Sequence, residues 1–519
     1  MRAGIAWTAA SLGCGLSLAL SLPPVDAVPL VWLSLAGFAY VLGGLSLPAP
    51  SRAGRLARVF EGGARGLAFG IGMNVSSLRF LPGVITRFAG LPLVAGVVAL
   101  LLVGAIQGSV WAALAMMRAR MVLWRLPPWL AFAVAGFATA FVPTIFSWTP
   151  AGLLTPWPAL VQLADVIGER GVAFLTYLSA GLLAEAVRSA SARGVRDRRA
   201  LVLAAVGLGL PVVQAAYGAA RMSSVAMFRA TFPTTRVGLV SPAFDAVERW
   251  DDAKAPVLLT SLNVLTREAE ERGAQLTVWS EAAYPYALGH GRLAGPVGPY
   301  AILQPGTHGP VLLGALTVPE TGNAYNSAVV AYPDGTVSDS YDKMHLLWFG
   351  ETVPLGEWIP WLKRVFMRGT GLSAGVQNSV LTAGPVRAGV LICYEDTLTV
   401  AGREAAAGRP NLLVNLTNDA WFAGSWEGDN QLRLAAMRAV EGRRDLVRAV
   451  NGGPTSWVDA TGVVRARHEG PEASVLIAEP ALVEAGSTFY VRVGDLPLIV
   501  ILGTLVWWMR SRGRRTAGA

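Results

Sequence analysis

Residues 1 to about 220 are a near-continuous series of apolar runs, and this limits the chain more than any other feature. A helix that crosses a membrane needs about 20 such residues, because no water is present to satisfy a free backbone N–H or C=O. Gly4–Leu22 and Val25–Leu47 meet this length, separated by Pro23-Pro24. Gly66–Ile85 is weaker, since Arg79 interrupts it. Gly90–Met117, Trp129–Trp148, Gly171–Val187 and Ala200–Tyr217 follow, and Leu496–Met509 is a short run that its flanks can extend. The pattern predicts seven spans before a soluble region and one after it. Gly4–Leu22 has no convincing cleavage site and the next run follows almost at once, so it is expected to be a retained span, not a signal peptide.

The arginines orient these spans. They cluster at 52, 55 and 58, at 118, 120 and 125, at 188, 193, 196, 198 and 199, and at 510, 512, 514 and 515. The alternate loops carry few, apart from Arg79 and Arg87. Positive loops stay cytoplasmic, so both termini are predicted inside and residues ~221–494 outside. The expected division is a transmembrane bundle at 1–220, a soluble domain at 221–494, and a last span with a basic tail at 495–519. With 53% hydrophobic and 15% charged residues among 519, an ordinary soluble enzyme is excluded. The net charge of +9 is accounted for by those loops, which disposes of a nucleic-acid partner. Cys14 lies in the first apolar run and Cys393 far away in the soluble part, so no disulfide framework is expected. The four histidines and two cysteines show no metal-ligand spacing, so no metal and no cofactor are expected.

In the soluble part, Arg236–Val240, Gln275–Trp279, Val311–Thr317, Ser327–Tyr332, Val390–Ile392, Leu412–Leu416 and Leu446–Val450 have strand character. Pro333-Asp-Gly335 predicts a hairpin with Thr336–Ser340, and Ala460-Thr-Gly462 another within Ser456–Arg465. Pro256–Arg272, Thr397–Ala407 and Asn430–Arg443 are expected helices. Strands alternating with helices and hairpins indicate a layered α/β domain with helices outside.

Chemistry gathers at the strand ends. In Arg387-Ala-Gly-Val-Leu-Ile-Cys393-Tyr394-Glu395-Asp396 the thiol sits between a strand end and a helix start. A helix dipole there favours thiolate, and free N–H groups can bind an oxyanion. Gln275-Leu-Thr-Val-Trp-Ser280-Glu281 ends a second strand in a carboxylate. Tyr341-Asp-Lys343 follows a hairpin, and Lys343 is one of only three lysines, with Lys254 and Lys363. An ammonium kept in a chain that otherwise uses arginine marks a site needing a compact cation. A carboxylate, an ammonium and a thiol together form a candidate nucleophilic site.

Glu281, Lys343 and Cys393, in that order, resemble the Glu-Lys-Cys triad of the nitrilase superfamily. The fuller resemblance is to its membrane branch, the apolipoprotein N-acyltransferases. It rests on Tyr341-Asp-Lys-Met-His-Leu346, Phe349-Gly-Glu-Thr-Val-Pro354, Ile392-Cys-Tyr-Glu395, Asn418-Asp-Ala-Trp-Phe422, Arg438-Ala-Val-Glu441, Gly494-Asp495, Trp250 and Gln162-Leu-Ala-Asp165. Ser280, Trp348, Gln431 and Arg79 depart from that family's usual residues, as does Ser241-Pro-Ala243 after the first strand.

The resemblance implies an α-helical membrane bundle of about eight spans plus an extracytoplasmic α/β nitrilase-like α-β-β-α sandwich domain. It implies acyl transfer from a membrane phospholipid, through a thioester on Cys393, to the N-terminal amine of a diacylated lipoprotein, in a bacterial cytoplasmic (inner) membrane. Glu281 would be the base, and Lys343 with the Tyr394 N–H would hold the oxyanion. Glu351 would support Lys343 or handle protons, and Glu395 would orient neighbours. Trp250, Trp348, Phe349 and Trp358 are candidates for an acyl pocket or the membrane interface, and Asp419 for capping or bracing a strand end. A monomer is expected, with the bilayer as its setting. The alternatives are a membrane-anchored nitrilase-type amidohydrolase, a membrane interaction protein with an inactive domain, and a cysteine protease. The membrane half speaks against the first, the intact triad against the second, and the lack of a catalytic His motif against the third.

Overall fold

Two patterns of burial separate the chain. In the computed structural model, which describes residues 2–44, 51–245, 248, 251–353, 356, 358–360, 364 and 371–515, it forms two compact units. One is Met1–Arg221 with Val493–Ala519, the other Met222–Arg492.

The first unit is helical. Leu93–Leu123, Ala164–Arg193 and Arg198–Arg229 are long and apolar enough to cross a membrane. Ala53–Ser77 and Leu81–Arg87 pass the same test only together, bent by 54°. Arg79 falls in the turn at that bend. Gly4–Ala19, Pro29–Gly43, Pro128–Thr139 and Leu496–Ser511 are shorter apolar helices. By length and composition the described helices therefore supply three spans, or four with the bent pair, not the eight expected. The expected span Trp129–Trp148 shows why: its helix ends at Thr139, and an irregular stretch follows. Small residues let the helices approach closely. A Cβ on Gly70 would lie 2.4 Å from Gly108 Cα, and one on Gly66 2.3 Å from the Trp111 carbonyl oxygen. Backbones that close gain dispersion contacts where no hydrophobic effect operates between helices. The rings of Phe38, Phe69 and Trp111 fill the space beside this contact, with centroids 4.2 Å and 4.5 Å apart along the row.

Among the described residues the second unit has thirteen strands. Those of the first sheet are β1 (Val237–Ser241), β2 (Leu276–Val278), β3 (Ala287–Gly289), β4 (Val311–Val318), β5 (Tyr325–Ala331) and β6 (Tyr341–Asp342), joined later by β13 (Ser474–Ala478). Their order is β13-β1-β2-β4-β5-β6, with β3 also on β4. The second sheet is β7 (Val380–Ala383), β8 (Val386–Ile392), β9 (Leu412–Asn418), β10 (Leu446–Asn451), β11 (Thr455–Val458) and β12 (Val464–His468), in the order β12-β11-β10-β9-β8-β7. The strands β8, β9 and β10 are parallel and almost wholly buried, hence their mainly apolar sequence, into which Asn415 and Arg448 bring buried polar groups.

Alternation along each strand sorts the layers. Ala388, Val390 and Ile392 of β8 and Leu412, Val414 and Leu416 of β9 meet Val237, Leu239, Val278 and Leu312 of the first sheet in a core between the sheets. Leu391 and Leu413 point the other way, onto the helices Thr399–Ala407 and Glu427–Gly442. On the far side, Leu259, Leu262 and Leu265 of the helix Ala255–Glu271 pack on Val240, Leu313 and Val329. The result is an α-β-β-α sandwich, as expected. Four strands have no counterpart in the sequence reading: β3, β6, β7 and β13. Thr336–Ser340 is reduced to two isolated bridges, Thr336 with Ala294 and Val337 with Ala331.

Leu416 is fully buried between the sheets, whereas Val464 is 42% exposed on the edge strand β12. Leu416→Ala is expected to destabilise the sandwich by ~2–5 kcal/mol, and Val464→Thr by within about 0.5 kcal/mol. Denaturant melting of the two variants measures this.

Candidate active site

Three strand ends deliver the site. Glu281 lies three residues after β2, Lys343 directly after β6, and Cys393 directly after β8. Strand ends suit this use because the backbone turns there and side chains leave the packed pleat. The Glu281 turn is tightly held. Ala282 takes a left-handed φ of 46°, and a Cβ on Gly314 of β4 would lie 2.3 Å from the Ala282 nitrogen. Cys393 has a left-handed φ of 54°, costly for a non-glycine residue and typical of a side chain thrust out of a turn. Asn415 secures that turn by donating from Nδ2 to the Cys393 carbonyl at 3.0 Å.

Lys343 is 1% exposed. Its Nζ lies 2.8 Å from Glu351 Oε2, 2.9 Å from Glu351 Oε1 and 3.3 Å from Glu281 Oε1. It also sits 5.6 Å from the centre of the Tyr394 ring. Burial works against the ammonium, but the charges of Glu351 and Glu281 outweigh it, and Lys343 is held well above its ordinary value. Burial likewise raises Glu351; Lys343 and the Leu347 N–H at 2.9 Å pull the other way and leave that carboxyl below its usual range. Asn326 Nδ2 bridges the two acids, 2.8 Å from Glu281 Oε1 and 2.9 Å from Glu351 Oε1. The Asn418 N–H donates to Glu281 Oε2 at 3.1 Å.

Glu395 ties the lysine segment to the cysteine turn. It is fully buried and accepts four hydrogen bonds. Met344 N (2.9 Å) and His345 N (3.0 Å) reach Oε1, while Ile392 N (2.8 Å) and the Tyr341 hydroxyl (2.9 Å) reach Oε2. One carboxylate thus fixes the residues on both sides of Lys343 and the residue before Cys393. Tyr394 adds a second tie, its hydroxyl donating to the Leu346 carbonyl at 3.1 Å.

The thiol itself corrects the sequence expectation. No α-helix begins at Cys393: a short 3-10 turn, Cys393–Thr397, comes first, and the α-helix starts at Thr399. Burial pushes the Cys393 thiol well above a free thiol's range; Glu281 adds to the rise, Lys343 opposes it, and Glu351 and Asp419 add again. The resting sulfur is therefore a thiol, and a base must take its proton as it attacks.

The aromatic candidates are dispersed. Phe349, half-buried with a left-handed φ of 64°, and Trp348, 40% exposed, belong to the tight turn that carries Glu351. Trp358 is 86% exposed, and Trp250 lies outside the described residues. Asp419 caps nothing among the described residues; the cap on the turn Asp419–Phe422 is Asn418, whose side chain accepts from the Ala420 N–H. The departures are accommodated: Gln431 donates to the buried Asp396 at 3.2 Å, and Ser280 is buried beside Glu281. Asn326 and Asn415 were not singled out in the sequence. Their only signal is an amide within a mainly apolar strand.

Comparison with known proteins bears on this arrangement. Residues 248–490 match the carbon-nitrogen hydrolase family, and residues 14–182 match the apolipoprotein N-acyltransferase N-terminal domain. The chain is 30% identical to the apolipoprotein N-acyltransferase of Geobacter metallireducens over 93% of its own length and 90% of that protein. The chain belongs to the apolipoprotein N-acyltransferase family. A second relative of that name, from Bradyrhizobium diazoefficiens, is 29% identical over 97% of this chain and 94% of its own. Among solved structures, an amidase from Nesterenkonia sp. aligns over 51% of this chain and 94% of its own, at 20% identity and a TM-score of 0.37.

Two outcomes follow for the site. Glu395→Gln replaces an acceptor-only group by one whose amide faces two donors, so the turn is expected to lose its register and activity to fall by about tenfold or more. Activity assays on protein that still melts cooperatively check this. In a Cys14→Ala background, alkylation of Cys393 by iodoacetamide is expected to climb still between about pH 8 and 9, because the raised thiol ionises only above a free thiol's value of about 8.5. A rate that levels off below pH 8 would contradict the environment described.

Proposed function

We propose that the site transfers a fatty acyl chain from a membrane phospholipid to the N-terminal α-amine of S-diacylglyceryl-cysteine on apolipoproteins, the last step of lipoprotein maturation. The observation that carries this reading is the buried Lys343 ammonium between Glu281 and Glu351, with a half-buried thiol on a strained turn at the same site. Glu281 takes the Cys393 proton as the sulfur attacks an ester carbonyl of the phospholipid. Lys343 and the Tyr394 N–H stabilise the tetrahedral oxyanion. The proton returns from Glu281 to the departing alkoxide, lysophospholipid leaves, and a thioester remains on Cys393. The lipoprotein amine then attacks the thioester, an amide forms, and the thiol is restored. Glu351 holds Lys343 in place through both halves. Two bulky lipid substrates then never need to be bound together.

In the proposed setting the enzyme is a monomer in a bacterial cytoplasmic membrane. The arginine-rich loops and both termini face the cytoplasm, and residues 222–492 stand on the outer side. Trp348, Phe349 and Trp358 meet the acyl chain or the membrane interface, where aromatic side chains are favoured.

The test uses purified protein in detergent with phospholipid and a diacylated lipopeptide, read as N-acylated product by mass spectrometry. Reciprocal plots at several acceptor concentrations are expected to be parallel. Cys393→Ala, Glu281→Gln and Lys343→Ala are each expected to lower turnover by about 10³-fold or more. Intersecting plots, or substantial turnover by Lys343→Ala, would overturn the assignment.

A further inference from the structure

Asp419 opens the short turn after β9, next to the Asn418 amide that holds Glu281. It is 2% exposed, yet neither carboxylate oxygen accepts a hydrogen bond from a described residue. Buried carboxylates normally gather donors. Here two glycines on separate segments make room for one without them. A Cβ on Gly453 would lie 2.6 Å from Asp419 Oδ2, and one on Gly428 3.0 Å.

The charged groups acting on Asp419 come from every side. They are Arg448 on β10, Asp396 after β8, Glu281 after β2 and Glu469 after β12. Glu427, at the start of the helix Glu427–Gly442, also feels its charge. Arg448 is committed to Asp396 through Nε at 2.9 Å, and its two Nη atoms find no partner among the described residues. Burial pushes Asp419 up to about 7; Arg448 opposes the rise, and Asp396, Glu281 and Glu469 add to it. Burial pushes the half-buried Glu427 up to about 8, with Asn430 opposing and Asp419 adding. Both groups change charge near neutral pH, where proton transfer is most efficient.

The two half-reactions differ in their protons. In acylation the Cys393 proton goes to Glu281 and then to the leaving alkoxide, so none is left over. In transfer the acceptor arrives as an ammonium, since an α-amine has a pKa of about 8. The N–C bond forms, the S–C bond breaks, and the nitrogen sheds two protons. One ends on the Cys393 sulfur; the other must leave the site. Glu281 can hold only one at a time.

We propose that Asp419 takes the acceptor ammonium's proton from Glu281 and passes it, by way of Glu427, to solvent. It acts through Glu281, not on the reacting atoms, so it is a positioning residue for the transfer half-reaction. This rests on Glu281 being the base of the reaction proposed above.

The experiment separates the halves. Acyl-enzyme formation is timed with phospholipid alone, and transfer is timed by adding a diacylated lipopeptide to preformed acyl-enzyme, from about pH 6 to about pH 9. In Asp419→Asn the ratio of transfer to acylation rates is expected to fall about tenfold or more near pH 7. It should recover toward the wild-type ratio near pH 9, where the amine arrives without its extra proton. Glu427→Gln, at the outer end of the path, is expected to show the same pH-dependent deficit at smaller size, and it carries the test if Asp419→Asn does not fold. Equal slowing of both halves at every pH marks a structural role and overturns the proposal, as does an unchanged ratio in both variants. A wild-type protein that forms no acyl-enzyme at all would instead sink the underlying assignment of the base and nucleophile.

Discussion

A buried ammonium cannot stand without partners, and the site is organised around that requirement. Stripping water from a lysine costs several kcal/mol unless opposite charges and hydrogen bonds replace it. Lys343 has Glu351 and Glu281 within 3.3 Å, and each of those acids is in turn held by Asn326. The cation fixes the spacing of two carboxylates from different segments, and they keep it charged in a place where burial alone would remove its proton. A neutral amine at the same position could neither hold the acids apart nor meet a developing oxyanion.

The sandwich supplies the scaffold for this arrangement. Glu281 and Lys343 belong to the first sheet and Cys393 to the second, so the site exists only while the two sheets keep their register. The core of Val237, Leu239, Val390, Val414 and their neighbours holds the sheets face to face. Glu395 locks the seam at the working end, with hydrogen bonds to residues on either side of Lys343 and to Ile392 before Cys393. Each main contributor to the site leaves the end of a strand, the least packed part of a sheet. That placement gives side chains freedom to converge, and it leaves strained turns, at Ala282 and Cys393, that the packing around them must hold.

Much of this could be read from the sequence. Largely apolar runs such as Leu412–Leu416 mark buried strands, and Glu281 and Cys393 are legible as reactive residues just beyond such runs, Lys343 as a rare lysine after a hairpin. Pairing was not legible. β13 joins β1 across more than two hundred residues, and neither composition nor turn chemistry announces that. Helix ends in the apolar half also escaped, because an apolar run does not reveal where its backbone stops being helical, as at Thr139. The thiol's state differs from the sequence expectation for a physical reason. A strand-to-helix turn suggested a stabilised thiolate, but the helix starts later, and burial among carboxylates favours the neutral form. Asn326 is not legible either, because nothing local shows that it bridges two acids from distant segments.

The central claim is that Cys393 carries the acyl group. The most direct measurement is the intact mass of the detergent-purified protein after incubation with phospholipid and no acceptor. The account predicts an added fatty acyl mass that hydroxylamine removes and that is absent from Cys393→Ala. An unmodified mass, from protein whose Cys393 still reacts with a thiol reagent, would contradict it.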